Sequence, residues 1–513
     1  MNIKDTKDLL KYHFTDFEEF IPAGAVGIEK ENLRACKGSI SLEDHPTIIG
    51  APLTNKYFTT DFSEAQLEIV TPPDMNKNNT LEFLRHLHEF VYKNLGSETL
   101  WCFSMPPFIE SEDMIRIAEY GSSNLAQFKM IYRRGLANRY GRMMQAISGI
   151  HYNYSFSDFF LGQLGIDNKN KSHKNFISNY YFRVIRNIKR FNWLILYLFG
   201  ASPVVTRNFI GDNKINFKSR SDYFYLPFST SFRMSSAGYQ NKKRGKLSIS
   251  TDSLNKFIND LQHATKTESK EFIDIYHSVT ESWPQINANQ LQIEDEFYEI
   301  VRPKSMLAEH PRLSSNLKVS GVDYIELRSI DLNPFSPEGI DIETFEFLEA
   351  LIIYSGLIAS PKISDDELVE IKNNDQLVAL EGRNPSLKLY RNGKEVLLRD
   401  WANEILDEIE PITTRLGVKE SIMKKYSSMI HHPELTISGQ VFNILFEKYN
   451  SFHEMAWDYS NKHKDYYKSL TIEENPLWKD FEEEAKNSFS KKNELENNDK
   501  RLFEEFVESY FSE

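Results

Sequence analysis

Two hydrophobic periods divide the chain. Between residues 25 and 72 short runs read as strands, where side chains alternate between two faces. In "AVGIEKENLR", Ala25 to Arg34, Val26, Ile28 and Leu33 suit a strand entering a core, and the preceding "PAG" reads as a turn. The other period is helical. "NNTLEFLRHLHEFVYKNL" has apolar residues at helical spacing with Asn79 or Thr80 as N-cap. "NYYFRVIRNIKRFNWLILYLFGASP" carries an apolar stripe wide enough for a buried helix, stopped by Gly200 and Pro203. Residues 1–24 read as a leading helix, and from Ser364 onward the pattern is mostly helical and highly charged. Strands and helices do not alternate as βαβ units, so the pattern predicts an α+β fold with an antiparallel sheet. The expected division is a catalytic α+β part, 1–363, with a helical region, 364–513, packed on it.

The strand period also sorts the ionisable residues. On a strand, Glu29 and Glu31 share one face, and two anions that close are costly unless cations lie near them. In "TTDFSEAQLEIVTPP", Ala65, Leu67 and Ile69 alternate with Glu64, Gln66 and Glu68, and Asp61 lies just before them near a bend. In "SGIHYNYSF", His151, Asn153 and Ser155 face away from Tyr152, Tyr154 and Phe156. In "VDYIELRSIDLNPFSP", Tyr324, Glu326 and Arg328 alternate with Ile325 and Leu327. Each run alone has an ordinary explanation: a solvated strand face, a structural histidine, or a strand-face ion pair worth under about 1 kcal/mol. Together they place Glu29, Glu31, Asp61, Glu68, His151 and Glu326 on one surface if the strands are neighbours. Carboxylate oxygens with a single imidazole suit Mg²⁺ or Mn²⁺ rather than zinc. The chain has no glycine-rich phosphate loop of either common kind, so metal ions are the expected means of holding a polyphosphate such as that of ATP.

Composition narrows the remaining classes. The 513 residues carry a formal charge of −13, and residues 471–513 hold 13 acidic against 6 basic side chains. With no basic stripe and no finger spacing, a nucleic-acid partner is not expected. Most of the acidic tail reads as a solvated helical face, with Leu502, Phe503, Phe506 and Tyr510 periodic along it. Two cysteines, Cys36 and Cys102, fit a reducing compartment and structural roles, with no catalytic thiol required. The charged N-terminus is unlike a signal peptide, and "WLILYLFGA" is too short to span a bilayer. The expectation is a cytoplasmic protein without a membrane partner.

The blocks "GIEKENLR", "TTDFSEAQLEIVTP", "YGSSNLAQFKMIYRRGLANRYG", "MQAISGIHYNYSF", "TSFRMSSAGYQN", "LQIEDEFYEIVRPK" and "YIELRSIDLNPFSP" occur in this order from about residue 20 to residue 340. In these the chain resembles the long bacterial class of glutamate–cysteine ligases. The C-terminal third matches only in length and helical character. The resemblance implies a curved antiparallel sheet of the glutamine synthetase and guanido kinase type. It implies more than one Mg²⁺ or Mn²⁺ on Glu29, Glu31, Asp61, Glu68, His151 and Glu326, with Glu29, Glu326 and Arg328 carrying catalysis. Arg328 matches the arginine at the γ-glutamyl and phosphoryl end. The cysteine pocket would fall on Phe62, Tyr132, Leu136, Gln145, Arg233, Tyr239 and Tyr298, and the adenine edge on Ile147. The implied reaction joins the γ-carboxylate of L-glutamate to the α-amine of L-cysteine through a γ-glutamyl phosphate, with ATP as co-substrate. Glutathione would inhibit as end product, and a monomer is expected. Rival readings are a glutamate-activating ligase with another amine acceptor, a catalytically silent sensor, and a helical scaffold.

Overall fold

A computed structural model describes residues 23–165, 171–210, 215–238, 247–278, 282–470 and 476–512, together with Thr6, Asp8 and Leu10. The expected leading helix lies mostly outside the described residues; Thr6, Asp8 and Leu10 are helical, and Thr6 N donates to Glu408 Oε2 at 2.9 Å.

The strand-like runs form one antiparallel sheet. Its strands are β1 (Gly24–Cys36), β2 (Phe58–Thr60), β3 (Gln66–Val70), β4 (Ile150–Phe156), β5 (Val301–Lys304) and β6 (Tyr324–Ile330), in the spatial order β5-β6-β4-β1-β3-β2. Every pairing is antiparallel. Two-residue strands at Ser39–Ile40 and Thr99–Leu100 pair with the far end of β1. The register is irregular between Leu327 and Ile330, a bulge of the kind that re-aims side chains at an edge or a site.

Side-chain alternation gives this sheet two unlike faces. On one, Val26, Ile28, Ile69, Tyr152, Tyr154, Ile325 and Leu327 are fully buried in the main core. Three helices pack over them: α1 (Lys77–Asn94), α3 (Lys171–Phe199) and α4 (Ile342–Leu357). Helix α3 ends at Phe199, just before the stop that the sequence predicts at Gly200. Helix α1 starts earlier than predicted, because Asn76 is its cap and accepts from Asn78 N. Thr80, one of the expected caps, is buried instead, and its hydroxyl donates to Val26 O at 3.0 Å, tying the helix to β1. Lys30 also points to this covered side, with Nζ 2.8 Å from His88 Nε2 of α1.

The main core continues past residue 363, taking in Trp401, Ile405, Tyr426 and Phe481. Among the described residues, the regular elements of the C-terminal third are helical except for a hairpin, Lys388–Arg391 with Lys394–Leu397. Asn392 and Gly393 both have positive φ, the Asn-Gly pair that a two-residue hairpin turn requires. Leu33 lies on the same side of β1 as Glu31 and belongs to a second apolar cluster with Phe62, Trp101 and Leu136.

Candidate active site

Register assembles the ionisable face. Glu29 stands beside His151, Glu31 opposite Glu68, and Glu326 opposite both Asn153 and Arg302. Five strands, spread from residue 29 to residue 326, thus converge. His151 Nδ1 lies 3.0 Å from Glu29 Oε2 and 3.9 Å from Glu326 Oε1, while Nε2 is 3.5 Å from Glu31 Oε1. One ligand atom each from Glu29, His151 and Glu326 fall within 4.8 Å of one another. Asn153 Nδ2 donates to Glu29 Oε1 at 2.9 Å and Gly149 N to Glu31 Oε2 at 3.2 Å, so both carboxylates are held in orientation.

Cations border the cluster. Lys304 Nζ is 3.0 Å from Glu326 Oε1 and Arg328 Nη1 donates to Glu326 Oε2 at 2.9 Å. Burial alone would push the Glu326 carboxyl up, but Lys304, Arg328, His151 and Arg302 together hold it well below its usual range. Glu29 is likewise lowered: burial opposes ionisation, and the His151 hydrogen bond, with the His151 and Lys304 charges, outweighs burial and the repulsion of Glu326. The other end of the face behaves oppositely. Burial first, then Asp61 and Glu68, raise Glu31 well above its usual value. Burial, then Glu29 and Asp61, push Glu68 to about 8 despite Arg133. His151 is lowered by burial and by Arg328, which leaves a neutral imidazole able to coordinate. Mutually raised carboxyls beside a neutral imidazole are a donor set that divalent cations would stabilise in its ionised form. Buried Nε atoms of Arg302 and Arg328 have no hydrogen-bond partner among the described residues, which suits an oxyanion.

These groups open into a cavity of about 550 Å³ whose lining includes Glu29, Asp61, Glu68, His151, Glu326 and Arg328. Of the expected acceptor residues, Phe62, Tyr132, Leu136 and Gln145 line it too. Arg233 and Tyr298 are set back. Arg233 Nη2 donates to Arg328 O at 2.7 Å, and Arg328 lies 5.8 Å from the Tyr298 ring centre. Tyr239 falls outside the described residues. Ile147 does not line the cavity. It is buried in a small apolar cluster with Met105, Val205, Phe209 and Phe232, and its carbonyl accepts from Gln66 Nε2 at 2.9 Å. Glu64, expected on the carboxylate face, sits in the turn before β3 and accepts from His45 N and Glu119 N, each at 2.8 Å.

Several lining residues were not singled out from sequence. Arg302 and Lys304 alternate with apolar Val301 in "VRPK", so period two on β5 was the available signal. Lys129 and Arg133 stand one turn apart on α2 (Asn124–Tyr140), the helix that walls the cavity. Burial, with Arg133 beside it, brings Lys129 down to about 8. A larger cavity, about 660 Å³, lies between α3 and later helices near Tyr354, Trp401 and Glu404, and takes no residue from the sheet.

A family model for glutamate-cysteine ligase matches residues 13–378. The glutamate–cysteine ligase of Alcanivorax borkumensis is 37% identical over 506 residues, covering 94% of this chain and 95% of the relative. That of Wigglesworthia glossinidia brevipalpis is 40% identical over 461 residues, covering 88% and 90%. Among solved structures, the Francisella tularensis glutamate–cysteine ligase in complex with AMP superposes with a TM-score of 0.89 at 30% identity, covering 96% of this chain and 98% of that one. A bifunctional glutathione synthetase from Pasteurella multocida shares the fold, with a TM-score of 0.71 at 24% identity over 91% of this chain and 55% of its own. With a profile spanning most of its length and relatives matching nearly end to end, this chain belongs to the glutamate–cysteine ligase family.

Proposed function

We propose that the protein joins the γ-carboxylate of L-glutamate to the α-amine of L-cysteine, with ATP converted to ADP and phosphate. The observation that carries this reading is the Glu29–His151–Glu326 convergence beside Lys304 and Arg328, inside a cavity whose other wall holds the expected acceptor residues. A carboxylate is a poor electrophile, so glutamate must first be phosphorylated, which brings one anion against a polyanion.

The chain's own groups answer that requirement. Arg328 and Lys304, fixed by Glu326, hold phosphoryl oxygens at the sheet, and Lys129 and Arg133 lie along the phosphate path. Glu29, Glu31, Asp61, Glu68, His151 and Glu326 would hold more than one Mg²⁺ or Mn²⁺, whose charge neutralises the polyphosphate and the developing leaving group. Asn153 keeps Glu29 turned into the cavity, and Gly149 N fixes Glu31 just behind it, near His151. In the second step cysteine's neutral amine attacks the γ-glutamyl phosphate, phosphate leaves, and the amine proton passes to a nearby carboxylate or phosphate oxygen. Phe62, Tyr132, Leu136 and Gln145 position the acceptor, with Arg233 and Tyr298 as outer support; proximity supplies much of the rate. The thiol is one small, weakly polar group, so discrimination against 2-aminobutyrate or alanine is modest, roughly 1–3 kcal/mol.

Further parts of the reading are a cytoplasmic monomer and inhibition by glutathione at the glutamyl and cysteinyl subsites. Cys36 and Cys102 are unpaired, consistent with a reducing compartment. No helix among the described residues is long and apolar enough to cross a membrane.

The test is to mix purified protein with ATP, Mg²⁺ and glutamate, with and without cysteine, and follow ADP release and product mass together. Cysteine-dependent ADP release, with a product weighing glutamate plus cysteine less water, is the expected result. ADP release that ignores cysteine but responds to another amine overturns the acceptor assignment.

A further inference from the structure

The acidic tail, expected as a solvated face, is in part a wall of the active site. Only Leu502 of the periodic set is largely exposed, at 67%. Helix α5 (Pro476–Asn498) leads into α6 (Phe503–Ser512), whose Phe503, Phe506, Val507, Tyr510 and Phe511 pack on Phe128, Ile131, Ile286 and Ile293. The Tyr510 ring centre lies 4.5 Å from that of Phe128, and Phe506 meets the same ring edge-on at 5.8 Å. Polar contacts fix this docking. Ser122 N donates to Glu496 Oε1 at 2.8 Å, Asn124 Nδ2 donates to Asp499 Oδ1 at 2.7 Å and to Arg501 O at 3.0 Å, and Asn124 N also donates to Asp499. An anionic side chain there also complements the positive end of α2.

Tyr510 lines the same cavity as the carboxylates. Its place follows from α2, which works as a ruler. At 1.5 Å per residue, Leu125 and Leu136 are separated by roughly 16 Å along the helix axis. Along it the lining residues run from apolar Leu125 and Phe128, through Lys129 and Arg133 with Tyr132 between them, to Leu136 at the acceptor end. Ile293 and Tyr510, clustered with Phe128, join the apolar end. A nucleoside triphosphate has the same order: a flat apolar base, a polyanion, and a terminal phosphoryl that must meet the amino-acid substrate.

We propose that Tyr510, packed against Phe128 at the apolar end of the cavity, holds the base of the nucleotide, making the C-terminal helix a specificity-determining wall of the site. The inference rests on the ATP-dependent reading above. It moves the base away from Ile147, which the fold buries elsewhere. It also gives the region beyond residue 378, where the family match ends, a direct part in substrate binding.

The experiment measures equilibrium binding to the full chain of two probes, ATP–Mg²⁺ and tripolyphosphate–Mg²⁺, without glutamate. Tripolyphosphate shares the charge but lacks the base. Tyr510→Ala should weaken ATP binding about ten-fold, the size expected for loss of a stacking ring, and leave tripolyphosphate unchanged; Tyr510→Phe should bind both normally. Tyr510→Leu keeps apolar bulk for docking and is the second variant should the alanine form fail to fold, with the same selective loss expected. Equal weakening of both probes, or of neither, overturns the proposal. If the unaltered chain binds neither probe, the nucleotide reading itself falls, and this inference with it.

Discussion

The two faces of the central sheet are built from the same strands by neighbouring residues, yet they obey opposite rules. On the covered face Val26, Ile28, Tyr152 and Tyr154 bury apolar area under α1, α3 and α4. Burial there is stabilising at roughly 25 cal/mol per Å² of apolar surface. One residue along, Glu29, Glu31, His151 and Glu326 bury charge against charge. Burial with like-charge neighbours raises Glu31 well above its usual pKa and Glu68 to about 8, so these carboxylates cost stability in the protein alone. Such an expense is retained where it serves chemistry. The covered face holds the fold, and the open face gives up part of that stability to the site.

The largest expected effect separates the faces most cleanly. Glu29→Gln should lower kcat at least about a hundred-fold, the scale of losing a charge-stabilising group at a reacting centre. The denaturant midpoint should fall only slightly, since glutamine keeps the shape and an amide oxygen while losing the His151 and Lys304 attractions together with the Glu326 repulsion. A lost midpoint with normal kcat in the folded fraction would show that Glu29 is structural. Its neighbour should do the reverse. Ile28→Ala leaves a cavity at a fully buried position opposite Tyr152, and should cost about 2–5 kcal/mol in denaturant unfolding. KM for ATP should stay within about two-fold of the unaltered chain, because the side chain meets no substrate.

The alternation that separates these faces is local, which is why the ligand-bearing positions are legible in the sequence itself. Glu29, Glu31, His151 and Glu326 follow from parity within their own runs, and the family resemblance names the same residues. Pairing is not legible. Nothing in "VDYIELRSI" states that Glu326 stands opposite Asn153; that depends on strand order, which long connections and the packing helices settle. Glu64 fits the parity of β3 but precedes the first paired residue, so its carboxylate serves two backbone N–H groups instead. Ile147 lies between a helical turn and β4, where no period operates, and its expected role at the adenine edge rested on the resemblance alone. What the sequence leaves unread in the C-terminal region has a similar cause. The hairpin at 388–397 has an Asn-Gly turn signal that the surrounding helical pattern obscures. The aromatic stripe around Tyr510 is visible in the sequence, but its partner on α2 is some 380 residues away along the chain, beyond any local rule.

A smaller effect tests how far the open face depends on orientation. Asn153 belongs to the open face but does not repel its neighbours; its amide donates to Glu29 Oε1. Asn153→Ala should weaken apparent Mg²⁺ affinity about ten-fold, as loss of a ligand-orienting hydrogen bond does, with kcat at saturating Mg²⁺ nearly restored. A kcat that stays low at any Mg²⁺ would place Asn153 on the substrate instead.

The smallest effect concerns a residue that breaks the contrast. Lys30 sits between Glu29 and Glu31 in sequence but on the covered face, only 3% exposed, against His88. Burial outweighs the attraction of Glu338 and brings its ammonium from 10.5 down to about 7. In the unfolded chain the group keeps its ordinary value, so between pH 7 and 10.5 the unfolded state binds a proton that the folded state has released. Stability gained from Lys30 therefore rises with pH through that window, by up to about 1.4 kcal/mol per pH unit, and is flat below it. Lys30→Met has no proton to release. Denaturant unfolding of both proteins at pH 7.5 and 8.5 should show the variant's advantage shrinking by about 1 kcal/mol. An advantage that does not change with pH would mean that Lys30 stays charged on the apolar face, held by Glu338 more strongly than burial opposes it. The covered face would then carry the same kind of unfavourable charge as the open one, and the division between a face that stabilises and a face that reacts would not hold at this position.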